Sequence, residues 1–323
     1  MVLPKRYGVT RHHELADIIR QVADSEAESY DTEPWHAELA KDLVAAATKY
    51  SPKSFEHDTI KVLDVCCGTG AVAFAAKEVL GSNTIVHGID FSEKSIQIAK
   101  KKAAGDSSMK FFVKSTVDIR KTPIPELEHE SYDLITIGNS FFMLKDGLWA
   151  FQEFVELLKP GGTIVFDIPQ PKTQNIANAF MVALSEVMPE DHAVIDRKWI
   201  KGDSSIRSLL SLTELKTLKI LETKNYKTDE YKWTSLTDIF DSAIESIPYL
   251  QGDKLDKYQK ADARNEFIHG MRSALIVDDV IFDEYKFFIG VAVKAGLDEP
   301  KGPTSPMNNF NPIYEKIAHF RKN

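Results

Sequence analysis

The sequence contains little cysteine and no long apolar run, and each shortage excludes a class of protein. Its two cysteines, Cys66 and Cys67, are adjacent, so they cannot join distant segments through disulfides. We therefore expect a reducing environment and a cytoplasmic location for this chain. No segment approaches the roughly 18 apolar residues that cross a bilayer. Residues 1–17 also lack the apolar core of a secretory signal, so no membrane association is expected.

Positive charge is the second shortage. The 40 Lys and Arg residues are outnumbered by 48 Asp and Glu residues, which gives a net charge of −8. A chain of this sign has no general attraction for nucleic-acid phosphates, so no nucleic-acid partner is expected. With 43% hydrophobic residues, the 323-residue chain can bury one large core. The composition leaves the oligomeric state open.

Candidate metal ligands are sparse as well. The pair Cys66–Cys67 and the pair His12–His13 each lack further ligands at the spacing that a tetrahedral site requires. We therefore expect no metal ion, and we interpret the two cysteines as small buried side chains in a turn.

From residue 61 onward, short apolar segments rich in β-branched residues alternate with helical patterns. Strands are predicted at 61–65, 84–90, 110–115, 132–138, 163–168 and, late in the chain, 284–294. Helices are predicted between the first five of them at 71–80, 92–104 and 146–159. This order predicts an α/β fold with a doubly wound, mostly parallel sheet.

The alternation divides the chain into four expected regions. N-terminal helices are expected over 1–56. The apolar stripe of one helix comes first, and a second helix is indicated over 33–50. The core comprises 57–169 plus 284–296. A mostly helical cap is expected over 170–283, inserted after strand five, and an irregular tail over 297–323.

The segment "DVCCGTG" (64–70) lies where ligands bind in such sheets, at the carboxyl end of the first strand. Gly68 and Gly70 let the backbone turn sharply and approach a ligand, since neither has a Cβ. "GTGAVA" also meets the dinucleotide pattern, and Asp90, twenty residues beyond Gly70, can accept hydrogen bonds from a ribose. These residues support a nicotinamide dehydrogenase and an enzyme with an adenosyl ligand equally.

Four later segments distinguish the two. They are "GIDFSEKSIQIAKKKA", "VKSTVDIRKTPIP", "YDLITIGNSFFML" and "LLKPGGTIVF". Together with the loop, they resemble the class I S-adenosylmethionine-dependent methyltransferases, of the ubiquinone/menaquinone-biosynthesis type, across residues 61–168. The resemblance implies a Rossmann-like sheet of seven strands, S-adenosylmethionine as cofactor and S-adenosylhomocysteine as product. The cap segment "KWTSLTDIFDSAIESIPYL" is similar to fungal natural-product methyltransferases, which implies secondary metabolism.

The resemblance implies a set of cofactor-binding residues. They are Tyr30, Asp64, Cys66, Gly68, Thr69, Gly70, Asp90, Phe91, Val117, Asp118, Ile119 and Asn139. Asp64 would lie near the methionine portion, Asp90 would bind the ribose hydroxyls, and Phe91 would lie against the adenine.

The other implied contacts surround the two ends of the cofactor. Asp118 would accept from the adenine amino group between Val117 and Ile119, which replace the family's usual glycine and alanine. Asn139 would lie beside the sulfonium. Tyr30 matches a tyrosine that closes over the cofactor, which gives the N-terminal helices a covering role.

The acceptor has no signature in the sequence. "IGNSFF" departs from the D/N-P-P-Y pattern of enzymes that methylate adenine or glutamine nitrogen, which favours a small, partly apolar metabolite with O, N, S or C as the methylated atom. A general base is needed only where the acceptor must lose a proton; His36, His192 and His269 are candidates by side-chain type alone. The aromatic candidates for the acceptor pocket are Phe141, Trp199 and Trp233.

Three functions therefore stay open. The first is a small-molecule methyltransferase that acts mainly by proximity and desolvation, with the cap closing over the acceptor. The second is a methyltransferase-fold protein that binds the cofactor but acts as a cyclase or a binding or regulatory protein. The third is a nicotinamide oxidoreductase.

Overall fold

The computed structural model of the chain describes residues 20–115, 127, 129–144, 147–187, 197, 199–247, 252, 255–272 and 274–296. The predicted tail (297–323) and residues 1–19 of the predicted N-terminal region lie outside these residues.

A mixed sheet of seven strands is the frame of the described part of the chain. Its strands are β1 (Lys61–Val65), β2 (Ile85–Asp90), β3 (Met109–Val113), β4 (Tyr132–Ile137), β5 (Leu158–Pro169), β6 (Leu215–Glu222) and β10 (Phe287–Lys294). Their order across the sheet is β3-β2-β1-β4-β5-β10-β6. The first five strands pair in parallel, and β10 runs antiparallel to both of its neighbours. The predicted doubly wound, mostly parallel α/β sheet is confirmed.

Helices lie against both faces of this sheet and beside it. In the described residues they are α1 (20–26), α2 (Pro34–Tyr50), α3 (Ala71–Leu80), α4 (Glu93–Lys102), α5 (Gly147–Leu157), α6 (Asn175–Val187), α7 (Asp203–Leu210), α8 (Leu236–Ser246) and α9 (Lys257–Met271). α2, α3 and α4 pack on one face, and α5 and α7 pack on the other. In these residues, none of the helices is long and apolar enough to cross a bilayer.

The ends of these helices follow the predicted signals. Pro34 stands in the first turn of α2, where its missing amide proton is not needed. The Ser92 hydroxyl caps α4 by accepting from the Ser95 amide at 3.0 Å. Gly81 ends α3 with a φ of 95°.

The strand order reverses between β1 and β4, which places a crevice at their carboxyl ends. In register, Asp64 of β1 lies beside Gly88 of β2 and Thr136 of β4. The carboxylates of Asp64 on β1, Asp90 on β2 and Asp167 on β5 therefore lie toward the carboxyl ends of the strands.

Residues 170–283 differ from the predicted, mostly helical cap. β6 lies within them and forms an edge of the main sheet. β7 (Thr228–Lys232), β8 (Leu275–Val277) and β9 (Val280–Glu284) form a separate three-stranded sheet in the order β7-β9-β8. β6 has the sequence "LKTLKILE", in which the exposed Lys216 and Lys219 interrupt the apolar residues, as suits an edge strand. The strand predicted over 284–294 begins at Phe287, because Glu284 ends β9.

The helices of this region build a third apolar cluster around three rings. Phe180 of α6 lies 4.4 Å from Phe267 of α9 and 5.4 Å from Phe240 of α8, measured between ring centroids. All three side chains are buried. The cluster is separate from the two cores that flank the main sheet. The division of the chain into core and cap stays a prediction.

Gly88 offers a test of the sheet's packing below the glycine loop. An added Cβ would lie 2.5 Å from the Phe111 ring and 2.9 Å from the Cys67 sulfur. We expect Gly88→Ala to lower the free energy of unfolding by about 1–3 kcal/mol, because the core has no room for a methyl group.

Urea unfolding followed by circular dichroism measures this loss. Gly296→Ala is the control, since nothing lies within 4 Å of the Cβ it would add. Equal stability of the two variants would contradict the packing described here.

Candidate functional site

The loop after β1, residues 66–70, is a tight turn that glycine makes possible. Its φ angles are positive at Cys66 (55°), Gly68 (52°) and Gly70 (94°). Glycine adopts such angles at little cost because it has no Cβ. The Gly70 amide donates to the Cys67 carbonyl at 2.8 Å, and α3 begins directly afterwards. The turn therefore lies at the crevice between β1 and β4.

The Asp90 carboxylate at the end of β2 supports this loop. One oxygen accepts from the Gly68 amide and the other from the Ser92 amide, each at 2.9 Å. Burial raises the pKa of Asp90, and the hydrogen bonds from Ser92 and Gly68 oppose that rise. Each oxygen retains a second lone pair, so Asp90 can still accept from ribose hydroxyls.

Asp64 lies beneath the loop and is buried. Its carboxylate accepts from the Ala73 amide in the first turn of α3 at 3.0 Å and from the Thr136 hydroxyl of β4 at 2.7 Å. Burial raises the pKa of Asp64 to about 7. Both oxygens already bind the chain itself, so Asp64 couples β1, β4 and α3 at the crevice.

The two cysteines contribute packing within the turn. Cys67 is buried and Cys66 is half-buried. Burial raises the pKa of both thiols, which keeps them protonated and poorly nucleophilic. In the part of the chain that the structure describes, no three His, Cys, Asp or Glu side chains form a group that could hold a metal ion.

Asn139 and Asp167 meet where β4 and β5 end. The backbone N–H of Asn139 donates to the Asp167 carboxylate at 2.8 Å, and Asn139 has a φ of 49°. The side-chain nitrogen of Asn139 donates to the Tyr30 hydroxyl oxygen at 3.4 Å. Burial raises the pKa of Asp167 to about 7, and the Asn139 amide opposes that rise. A buried carboxylate therefore faces the same crevice from the β5 side.

Residues 20–33, here termed the N-terminal segment, run past the carboxyl ends of the strands. The Thr69 hydroxyl donates to the Asp31 carboxylate at 2.7 Å, which ties the segment directly to the glycine loop. Lys102 bridges the two by donating to Asp31 at 3.0 Å and to the Thr69 carbonyl at 2.9 Å. Further contacts join the pairs Asp24–Ser92, Glu28–Lys94 and Glu33–Lys227. The segment is therefore fastened over the crevice by polar contacts at the protein surface.

Tyr30 is the residue of this segment that reaches the crevice. Its ring stacks on His36, with centroids 3.7 Å apart and an angle of 4° between the planes. His36 Nδ1 lies 2.8 Å from the Tyr30 carbonyl oxygen, and burial lowers the pKa of His36. These two contacts indicate that His36 positions Tyr30, which is a structural role.

The remaining predicted site residues lie in different places. Phe91 is half-buried directly after β2, and His269 is exposed on α9, beside the third apolar cluster. The other predictions lie outside the described residues, namely Val117, Asp118, Ile119 and His192.

Of the three aromatic candidates for the acceptor pocket, Phe141 and Trp199 contact each other, whereas Trp233 lies in a different cluster. Phe141 is buried in the core between Phe151 and Phe166. Trp199 meets the Phe141 ring edge-on at 6.1 Å and is 38% exposed. Trp233 packs against the third apolar cluster.

Sequence reasoning missed Asp31 and Asp167. The sequence offers a weak signal for Asp167, because it is an acid inside the apolar run "TIVFDI". This run is a predicted strand whose carboxyl end lies on the same side of the sheet as Asp64 and Asp90. Asp31 has none, because its role depends on a contact with Thr69 across 38 residues.

A comparison with protein families identifies the chain. The family described as "Methyltransferase domain" matches residues 56–242, which is more than half of its length. The chain belongs to this methyltransferase family. The class I, S-adenosylmethionine-dependent family expected from the motifs is confirmed, and with it the expected cofactor.

Curated relatives refine the family assignment. The demethylmenaquinone methyltransferase of Staphylococcus aureus strain MRSA252 is 34% identical over 131 residues, which are 40% of this chain and 52% of that protein. That of strain JH9 is 33% identical over 130 residues, with the same shares. The chain thus spans about half the length of these relatives. They support the quinone-biosynthesis type, whereas the similarity to fungal natural-product methyltransferases stays a prediction.

A solved structure supports the fold alone. The YcgJ protein of Bacillus subtilis is 14% identical and aligns with a TM-score of 0.50 over 80% of this chain and 99% of that one.

The raised pKa of Asp167 in this methyltransferase predicts a pH-dependent stability. Its pKa is about 7 in the folded state, above the ordinary 3.8. The folded state therefore binds the proton more tightly, and this carboxyl contributes progressively less stability as the pH rises from about 4 to 7. Asp167→Asn removes the titration, so the wild-type stability should fall relative to the variant by on the order of 1–3 kcal/mol across that range.

Urea unfolding at a series of pH values checks this expectation. Parallel curves for the wild type and the variant would show that Asp167 does not titrate in this window.

The contact between Asp31 and Thr69 predicts how the N-terminal segment is held. Asp31→Ala removes the hydrogen bonds from Thr69 and Lys102, which are partly exposed and together worth up to about 1 kcal/mol. We expect amide hydrogen exchange in residues 20–33 to accelerate by up to about fivefold, with little change in the sheet.

Mass-spectrometric exchange measures both regions at once. Asp203→Ala, which removes an exposed ion pair with Arg207, is the control and should leave residues 20–33 unchanged. An unaltered segment in Asp31→Ala would show that these contacts do not hold it.

Proposed function

We propose that the protein transfers a methyl group from S-adenosylmethionine to a small, partly apolar metabolite. The observation that supports this most is the hydrogen bond from the Gly68 amide to Asp90, which joins the glycine loop to the acid of β2. This hydrogen bond joins the glycine loop, which a methionine chain needs, to the acid that a ribose needs. Both lie at the carboxyl ends of neighbouring strands.

The residues at the crevice suit this cofactor. Asp90 has lone pairs for the ribose hydroxyls, and Phe91 follows it on the side proposed for the adenine. Gly68, Thr69 and Gly70 would lie along the methionine portion. Buried oxygens without a partner near Asn139 indicate that the crevice is built for a polar occupant.

When bound, S-adenosylmethionine supplies a methyl group that is already activated on a positively charged sulfur. The chain therefore has to align the acceptor and exclude water. Tyr30 and the rest of the N-terminal segment close the crevice, which suits a reaction in which positive charge disappears. Holding two reactants in line accounts for roughly 7–11 kcal/mol of a reaction barrier.

The acceptor is proposed as a class. The Staphylococcus aureus relatives are demethylmenaquinone methyltransferases by name, which supports a small, partly apolar acceptor. Residues 170–283, with their third apolar cluster, would contribute to the acceptor side.

Calorimetric titration with S-adenosylhomocysteine tests cofactor binding, and mass spectrometry of reaction products tests transfer. An acceptor that gains one methylene in mass supports methyl transfer. A product of unchanged mass would indicate a cyclase, and cofactor binding without any product would indicate a binding protein. Absence of S-adenosylhomocysteine binding would contradict the proposal.

Asp90→Ala should weaken S-adenosylhomocysteine binding by at least about tenfold, or 1.4 kcal/mol. It removes the proposed ribose acceptor and the support of the Gly68 amide together. Titration calorimetry gives the affinity, and thermal unfolding shows whether the variant is folded.

Asp133→Asn is the matched control. Asp133 is also buried on a strand, but it accepts from the Lys61 amide and the Lys159 ammonium near the start of β4, at the opposite edge of the sheet. Wild-type affinity in folded Asp90→Ala would remove Asp90 from the proposed site.

A further inference from the structure

Two buried polar atoms at the ends of β4 and β5 have no hydrogen-bond partner among the described residues. They are the side-chain oxygens Asn139 Oδ1 and Asp167 Oδ1. Buried polar atoms in folded proteins nearly always have a partner, and each one left without costs about 1–3 kcal/mol. Their clustering on two adjacent strand ends points to a ligand.

The chemistry of these atoms defines what the ligand must bring. The Asn139 oxygen and an ionised Asp167 oxygen can only accept hydrogen bonds. The second polar atom of each side chain already has a hydrogen-bond partner. Asp167 Oδ2 accepts from the Asn139 backbone amide, and the Asn139 side-chain nitrogen donates to the Tyr30 hydroxyl oxygen. The two free oxygens therefore require an occupant with a hydrogen-bond donor.

The position of Asp167 places this donor on the acceptor side of the proposed cofactor. The sheet order puts β1 and β4 between β2, which ends in Asp90, and β5. Asp90 and Asp167 are thus three strand spacings apart, about 14 Å. With the ribose at Asp90 and the methionine portion over β1, a group at Asp167 lies beyond the methyl end.

We propose that Asp167 accepts the proton of the acceptor's nucleophilic O–H or S–H group, so that the acceptor class is a phenol, an enol or a thiol. This inference rests on the proposed function. An amine has a free lone pair when neutral and does not need such a group.

The O–H or S–H bond breaks and its proton passes to Asp167 Oδ1. The freed electron pair forms the bond to the methyl carbon, while the carbon–sulfur bond of the sulfonium breaks and its pair stays on sulfur. A carboxylate and a sulfonium become a carboxylic acid and a thioether, and the carboxylic acid later returns its proton to water.

The surroundings of Asp167 suit this role. Its pKa of about 7 leaves it partly ionised at neutral pH, and a general base is most effective when its pKa lies near the working pH. Asn139 would orient the same nucleophile. Because the two oxygens are buried while Tyr30 is in place, entry of an acceptor requires the N-terminal segment to move.

Binding without turnover tests the proposal. Phenol and phenylmethanethiol, which keep their protons at neutral pH, are titrated into the complex of the protein with S-adenosylhomocysteine. Pentafluorophenol, which has nearly the same shape as phenol but is ionised at neutral pH, serves as the comparison. Asp167→Asn should weaken phenol or phenylmethanethiol binding by about tenfold, because the accepting charge is lost. It should leave pentafluorophenol binding unchanged or stronger, because a like charge is removed.

Two variants control for damage to the fold. Asp283→Asn alters another buried aspartate that accepts from backbone amides, those of Asn175 and Ile176, and should change none of these affinities. Asn139→Gly suits the positive φ and removes one free oxygen, so it should weaken phenol binding by about threefold or more even if Asp167→Asn does not fold.

The rate of methyl transfer provides a second readout. Transfer to phenol or phenylmethanethiol should fall about 10²–10⁴-fold in Asp167→Asn, the range of a general base.

Several results would overturn the proposal. Equal weakening of phenol and pentafluorophenol would show a structural role for Asp167. A tenfold loss of S-adenosylhomocysteine affinity without a loss for 5′-methylthioadenosine would assign Asp167 to the cofactor's amino group. Failure of the wild-type complex to bind phenol or phenylmethanethiol would exclude an acceptor held through O–H or S–H, and the proposed function would stand. Failure of the wild type to bind S-adenosylhomocysteine would be the separate failure of that function.

Discussion

The carboxylate of Asp90 lies between the amides of Gly68 and Ser92, and the geometry of the crevice depends on this arrangement. A buried carboxylate is costly unless hydrogen bonds satisfy it, and a backbone amide in a tight loop needs an acceptor. Each therefore stabilises the other. The same pairing recurs at Asp64, which accepts from α3, and at Asp167, which accepts from the loop after β4. Buried acids thus fasten the loops at three of the strand ends.

These acids have a consequence for the ligand. Burial raises the pKa values of Asp64, Asp90 and Asp167, which means that each carboxylate would gain from a positively charged or proton-donating partner. The proposed cofactor carries positive charge on its sulfur, and the proposed acceptor donates a proton. The electrostatics of the crevice and the proposed chemistry agree in sign.

The covering of the crevice has a different physical basis. The N-terminal segment is held by partly exposed contacts such as Asp31 with Thr69 and Lys102, which are individually weak. The sheet beneath is held by two buried apolar cores. A rigid floor and a weakly fastened cover suit a site that must open for two ligands and then exclude water.

Much of the fold could be predicted from local pattern. The first five strands and the helices between them were predictable because their apolar period and their end signals, such as Ser92 and Gly81, act over a few residues. β6 was not, since an edge strand interrupted by Lys216 and Lys219 is stabilised by pairing with β10, some 70 residues later in the chain.

Spacing within a single β-α-β unit was enough to predict the α/β sheet, the glycine loop and the placement of Asp64 and Asp90 at strand ends. The contact of Asp31 with Thr69, the contact of Tyr30 with Asn139 and the place of Asp167 in the same crevice became visible only in the folded chain. Strand order and helix packing bring together residues far apart in the chain, and no local pattern encodes that proximity.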